Sequence, residues 1–231
     1  MIISGFQKTT LLDYPGHLAA TIFFNGCSFR CPFCHNSELL SSDTAPQAMT
    51  DTEVLSVLKK RAGILEGVCV TGGEPTLQPG LPEFLSSVKD LGLLVKLDTN
   101  GYQPDVMISL CEQGLIDYIA MDIKSCPSRY PVVSGFPHLD FSRIQKSVTY
   151  LMQGRLPYEF RTTVVQELHS PKDFEEIGRW LQGCSAYYLQ NYQDSEHVLC
   201  PGFHSCSKEE LLHFASVVKP LIPNVNLRGI D

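Results

Sequence analysis

Short apolar runs rich in β-branched residues recur along the chain, each followed by a stretch of helical periodicity. This alternation constrains the fold more than any other feature. The runs at 18–25, 67–71, 93–98, 117–123, 158–165 and 186–190 read as strands, with a last short one at 225–228. The stretches at 50–62, 81–91, 104–113, 140–153, 171–181 and 207–218 read as helices. Thr50 followed by Glu53 is a capping-box signal, and Gly92, Gly114 and Gly154 stand where helices should end. Strand-then-helix repetition calls for a parallel sheet covered by helices. About six units fit this length, whereas a complete eight-unit barrel typically needs about 250 residues. The expectation is an α/β fold, an incomplete (β/α)6 TIM-like barrel, forming a single domain over residues 1–231. The runs 125–138 and 193–205 are expected to be long loops.

Composition narrows the function classes. Hydrophobic residues make up 43% and charged residues 19%, enough apolar material for a core and too little charge for disorder. A net charge of −7 argues against a nucleic-acid binder. No segment is apolar for long enough to cross a membrane, and residues 1–10 lack a signal-type apolar run. The expected location is the cytoplasm, with no membrane partner. There the nine cysteines should be reduced thiols, and clustered thiols point to metal.

Three of the nine form Cys27-Ser-Phe-Arg-Cys31-Pro-Phe-Cys34, directly after the first strand. Thiolates select iron–sulfur clusters, zinc or Cu(I). A zinc site normally adds a second ligand pair, and none follows at that spacing. Ferredoxin-type runs supply a cubane with four cysteines; this run supplies three, leaving one iron open for something that arrives later. In α/β barrels the strand C-terminal ends carry the site. Other polar motifs stand at such ends: Gly72-Gly73-Glu74-Pro75, Asp98-Thr99-Asn100-Gly101, Asp122-Ile123-Lys124, Thr162-Thr163 and Gln190-Asn191. Each alone is an ordinary way to leave a strand.

The C-x3-C-x2-C spacing followed by Gly-Gly-Glu-Pro resembles the radical S-adenosylmethionine (SAM) superfamily. Ile3-Ser-Gly-Phe-Gln-Lys-Thr-Thr-Leu-Leu-Asp-Tyr-Pro-Gly16, Cys31-Pro-Phe-Cys-His-Asn36 and Glu159-Phe-Arg-Thr-Thr-Val164 are similar to the glycyl-radical-enzyme activases, those of anaerobic ribonucleoside-triphosphate reductases above all. The resemblance extends over the whole chain. It implies a [4Fe–4S] cluster on Cys27, Cys31 and Cys34, which with SAM gives a 5′-deoxyadenosyl radical. That radical takes a hydrogen atom from a glycine Cα of the partner enzyme. The implied electron donor is reduced flavodoxin or ferredoxin. Implied SAM contacts are Phe33 and His35 on the adenine side, and Gly72 and Gly73, whose lack of side chains gives the methionine part room. Glu74 is implied for the amino group, Asp98 for the ribose or a monovalent cation, Asp122 and Lys124 for the nucleoside or carboxylate, and Thr163 as a further cofactor contact. Where some relatives place a histidine, this sequence has Gln190-Asn191.

Two rival readings stand beside this one. The first keeps the chemistry and changes the substrate: a pyruvate formate-lyase type activase, or a small-molecule enzyme of deazaguanine-synthase type. The second is a zinc- or cluster-binding interaction module without catalysis. Cys69, Cys111 and Cys184 read as core positions, since free cysteine packs as a small hydrophobe. Cys126 lies close to the site motif. Cys200, His204 and Cys206 offer a second metal site that lacks a fourth ligand. His169 reads as a loop residue and Trp180 as core. Tyr130 and Phe136, in the 125–138 run, are expected to anchor a partner peptide.

Overall fold

A computed structural model describes residues 1–41 and 48–230. By internal packing the chain divides into two compact units, Met1–Cys27 with Glu38–Ala120, and Ser28–Ser37 with Met121–Asp231.

In the first unit, β1 (Ile2–Ile3) pairs antiparallel with β4 (Met49–Thr50), and β2 (Gly5–Thr10) pairs antiparallel with β3 (Ala19–Phe24). β3 then pairs parallel with β5 (Gly67–Gly72), and β5 with β6 (Leu94–Thr99). The registers Ala19↔Gly67 and Gly67↔Leu94 bring the C-terminal ends of all three strands to one edge. Side chains alternate across this sheet. Val68, Val70, Val95 and Leu97 are fully buried, as are Leu81, Leu85 and Val88 of α2 (Leu81–Asp90). The opposite face carries Thr21, Cys69 and Lys96. Helix α1 (Asp51–Arg61) begins at the expected Thr50–Glu53 capping box and buries Val54 and Leu58, one turn apart. Helix α3 (Pro104–Glu112) buries Met107 and Leu110.

Strand β7 (Tyr118–Asp122) carries the chain from the first unit into the second. In the second unit Ile123 N donates to Arg161 O at 2.7 Å, alongside β8 (Tyr158–Val164). β8, β9 (Tyr187–Asn191) and β10 (Val225–Arg228) pair in parallel. Helices α5 (Phe141–Leu151), α6 (Pro171–Trp180) and α7 (Lys208–Val218) follow β7, β8 and β9 in turn. A one-turn helix, α4 (Tyr130–Val133), lies within the run expected to be loop.

The six strand–helix units and their parallel pairing match the α/β expectation. The β2 hairpin does not appear in the sequence pattern. Its strand reads Gly-Phe-Gln-Lys-Thr-Thr, with one partner strand and Gln7, Lys8 and Thr9 exposed, so it carries neither an apolar run nor clean alternation.

Candidate active site

In the first unit, the Gly-Gly-Glu turn that ends β5 is stitched to the backbone leading into Cys27. Gly73 N donates to Phe24 O at 2.8 Å, and Glu74 N to Gly26 O at 2.7 Å. Gly72 has φ +113°, and a Cβ there would lie 2.4 Å from Phe24 N. A Cβ on Gly73 would lie 2.1 Å from Gly26 O. Glycine is required at both positions because backbone meets backbone. On the side-chain side of each Cα the chain itself, and not a ligand, fills the room.

Glu74 is fully buried. Its Oε1 accepts from Thr76 N and Oγ1 and from Thr99 Oγ1, and its Oε2 accepts from Asn100 N at 2.7 Å. Burial pushes its carboxyl pKa up, and the hydrogen bonds oppose part of that rise. The Asn100 amide Nδ2 donates to Cys27 Sγ at 3.6 Å. Asn100, never singled out as a site residue, thus links the turn to the first cysteine. Asp98 pairs with Lys96, which is 2% exposed and whose Nζ lies 3.7 Å from Cys69 Sγ. Lys96 hides in an apolar run; the signal was an acid two residues on, hence on the same strand face.

In the second unit, the cysteine loop is gripped by both runs that read as loops. Arg30 N donates to Ser134 O at 2.9 Å, and Cys31 Sγ lies 3.6 Å from the same oxygen. The Phe29 ring packs against Tyr130 and Phe136 at 6.5 and 6.1 Å. Tyr130 is fully buried and its hydroxyl donates to Asp122 O at 3.2 Å, so the expected partner anchor is core. From the other run, Cys200 N donates to Pro32 O at 2.9 Å and Leu199 N to Cys34 O at 3.2 Å. His35 stacks on Tyr192 with centroids 5.2 Å apart, and its Nε2 faces Gln193 O. Phe33 is buried beside it in the loop.

Asp122 stands between two cations. Lys124 Nζ donates to its Oδ2 and Arg161 Nε to its Oδ1, each at 3.0 Å. Burial alone would raise the Asp122 pKa, but Lys124 and Arg161 bring it down to about 2. Burial would lower the Lys124 pKa; the charges of Asp122 and Cys31 hold it well above the usual lysine value instead. Arg161, in the middle of the Glu159–Val164 motif, is the second cation of this site. Thr163 is half-buried and faces Gln190 in the β8–β9 register. Its neighbour Thr162 is buried and donates to Ile123 O at 2.8 Å, a structural tie.

The remaining sulfurs differ in their surroundings. Cys126 Sγ lies 3.2 Å from Asp173 Oδ1, and Cys206 is buried while Cys200 is exposed. His204 is occupied by Glu167, Nδ1 to Oε1 at 2.5 Å. The Asn191 side chain exchanges two hydrogen bonds with the Cys206 backbone, each 3.0 Å. Cys69 and Cys184 are buried as expected, whereas Cys111 and Trp180 are only partly buried.

The donor set fits an iron–sulfur cluster by its chemistry. None of the nine cysteines forms a disulfide. Cys27 receives an amide donor. Burial raises the Cys34 thiol pKa, while Lys124 and Arg30 favour its thiolate. Among the described residues no three His, Cys, Asp or Glu side chains gather around a single-ion position. A cubane differs in that each thiolate binds its own iron.

The radical SAM superfamily model matches residues 21–181 of the 231. The chain belongs to the radical SAM superfamily. Members use a [4Fe–4S] cluster and SAM. This radical SAM protein is 29% identical over 239 residues to a Methanocaldococcus jannaschii protein named "putative glycyl-radical enzyme activating enzyme MJ1227", covering 100% of the chain and 97% of that protein. It is 37% identical over 87 residues to a 7-carboxy-7-deazaguanine synthase of Clostridium acetobutylicum, 37% of the chain and 38% of that enzyme. Streptococcus suis SuiB bound to precursor peptide SuiA shares the fold at 15% identity and a TM-score of 0.71, over 90% of the chain and 48% of SuiB. Among the described residues no helix is long and apolar enough to cross a membrane.

Proposed function

We propose that this radical SAM protein is a glycyl-radical-enzyme activase. Its partner in this reading is anaerobic ribonucleoside-triphosphate reductase, its electron donor reduced flavodoxin or ferredoxin, and its location the cytoplasm. The carrying observation is the end-to-end likeness to the archaeal activase-named protein, over 100% of the chain, against likenesses to deazaguanine synthases over 37% and 80% of it. The chain acts here as one catalytic domain, a reading supported by a family match that runs through both units.

In this assignment Cys27, Cys31 and Cys34 would hold the cluster. When bound, the cluster and SAM supply reductive cleavage of the S–C5′ bond and a 5′-deoxyadenosyl radical that removes a glycine Cα hydrogen from the partner. The protein's work is to bind and orient. The Gly72-Gly73-Glu74 turn shapes the methionine side. Lys124, kept charged by Asp122, meets the carboxylate; Asp98 serves the ribose or a monovalent cation, and Thr163 is a further SAM contact. Phe33 and His35 border the adenine.

The test is anaerobic reconstitution with iron and sulfide, then incubation with SAM, reductant and the candidate reductase. A glycyl-radical doublet in the electron paramagnetic resonance spectrum, with 5′-deoxyadenosine released, is the expected result. Release of 5′-deoxyadenosine with no radical on the reductase, but a radical on pyruvate formate-lyase, would move the partner. No 5′-deoxyadenosine from brown, iron-replete protein would sink the enzyme assignment.

A further inference from the structure

His169 bridges the ends of two strands in the second unit. It is buried in the turn that follows β8. Val165 N lies 3.1 Å from its Nδ1, and the Lys124 carbonyl lies 3.0 Å from its Nε2. Nδ1 lies 3.3 Å from Val165 O as well, but an N–H only donates and a carbonyl only accepts, so the neutral tautomer that serves both closer contacts carries its proton on Nε2 and accepts from the Val165 N–H at Nδ1. Both ring nitrogens are occupied by backbone, and the ring rests 5.9 Å from Phe174. Burial lowers the imidazole pKa, in keeping with this neutral tautomer.

What His169 grips is the backbone of the residue whose ammonium pairs with Asp122. The segment after Lys124 has a second anchor on the same helix end. Cys126 Sγ and Arg129 both bond Asp173, at 3.2 and 3.0 Å, and Asp173 completes the capping box of α6 with Ser170. Helix α6 therefore presents a platform that fixes 124–129. A lysine stem has four rotatable bonds, and its aim depends on where its backbone is held.

We propose that His169 is a positioning residue for SAM: by pinning the Lys124 carbonyl it sets the direction in which the Lys124 ammonium meets the ligand carboxylate. The inference rests on the assignment of Lys124 given above. A merely structural histidine would act on stability alone. A positioning one acts on ligand affinity through Lys124, and preorganisation of that kind shows as lost affinity when removed.

The test uses the full chain, reconstituted with its cluster under anaerobic conditions. It measures the equilibrium dissociation constant for SAM, iron content, and the unfolding midpoint. His169→Phe keeps an aromatic ring, a somewhat larger one, and removes both hydrogen bonds. It should weaken SAM by about tenfold, with iron content retained. Lys124→Met should weaken SAM at least as much. The double variant should bind no worse than Lys124→Met alone, because the two residues act as a unit. His169→Gln, which restores a donor toward Lys124 O, should recover part of the loss, and it decides the matter if His169→Phe does not fold. Unchanged affinity in His169→Phe, or additive losses in the double variant, would overturn the proposal while leaving Lys124 in place. Unchanged affinity in Lys124→Met would instead remove the assignment of Lys124, and the proposal with it.

Discussion

Asn100 donates twice within the first unit: its amide Nδ2 to Cys27 Sγ at 3.6 Å, and its backbone N–H to Glu74 Oε2 at 2.7 Å. A donor aimed at a cluster sulfur favours the more negative, reduced cluster. Asn100→Leu keeps the branched side-chain shape and the backbone bond but removes that donor. The reduction potential of the cluster should fall by about 50 mV, the one-electron equivalent of ~1 kcal/mol. A redox titration followed by electron paramagnetic resonance reads this directly. An unchanged potential would mean that Cys27 does not ligate, or that its sulfur turns away from the amide once the cluster is bound.

Gly73 gives a prediction opposite in kind to the one its motif suggests. A residue reserved for a ligand should tolerate a methyl group until the ligand is added. Here the methyl group would meet Gly26 O at 2.1 Å. Backbone cannot yield as a side-chain tip can, so Gly73→Ala should cost about 3 kcal/mol in the chain without cluster or SAM. Denaturant unfolding of that apo chain is the measurement. Wild-type stability there, with SAM binding alone lost, would restore the ligand-room explanation.

The alternation of apolar runs and helices was legible because parallel strands buried on both faces leave near-continuous β-branched stretches. The three cysteines and Gly-Gly-Glu-Pro were legible because their spacing is local. What stayed hidden depends on contacts far apart in sequence. Arg161 lies 39 residues from Asp122, and Ser134 lies 103 residues from the Cys31 it contacts. The runs 125–138 and 193–205 read as loops because backbone carbonyls and N–H groups do their work there, and such groups leave no residue signature. Asn100 was visible only as part of a strand-ending turn.

Asp122 carries a pH prediction. Its folded-state pKa, about 2, lies below the unfolded value of about 3.9. The Asp122–Lys124–Arg161 contacts therefore add stability above about pH 4, and that contribution is lost as pH falls toward 2. The Asp122 side chain is 34% exposed, so solvent screening limits the contribution to ~1 kcal/mol. Asp122→Asn should lower unfolding free energy by that amount at pH 7, and the gap to wild type should close between pH 4 and pH 2. Apo-chain urea unfolding across this range provides the comparison. A gap that stays constant to pH 2 would show that charge at Asp122 is not what stabilises the contact.

The run 125–138 decides between a docking element and a support for the cysteine loop. Aromatic Tyr130 and Phe136 suggest a partner anchor, but Tyr130 is fully buried and both rings pack on Phe29, two residues before Cys31. Ser134 O receives Arg30 N, and Gly135, at φ +62°, would place a Cβ 2.0 Å from Arg30 O. A side chain at 135 must push Arg30 and hence Cys31 away. Gly135→Ala should therefore reduce iron incorporation severalfold, and 5′-deoxyadenosine formation and glycyl-radical yield should fall together. Val132, on the same short helix, is 69% exposed and touches neither relation. Val132→Ser should leave iron content as in wild type, which separates the clamp from general fragility of the segment. Full iron and full SAM cleavage in Gly135→Ala, with only radical transfer lost, would return the run to a docking role.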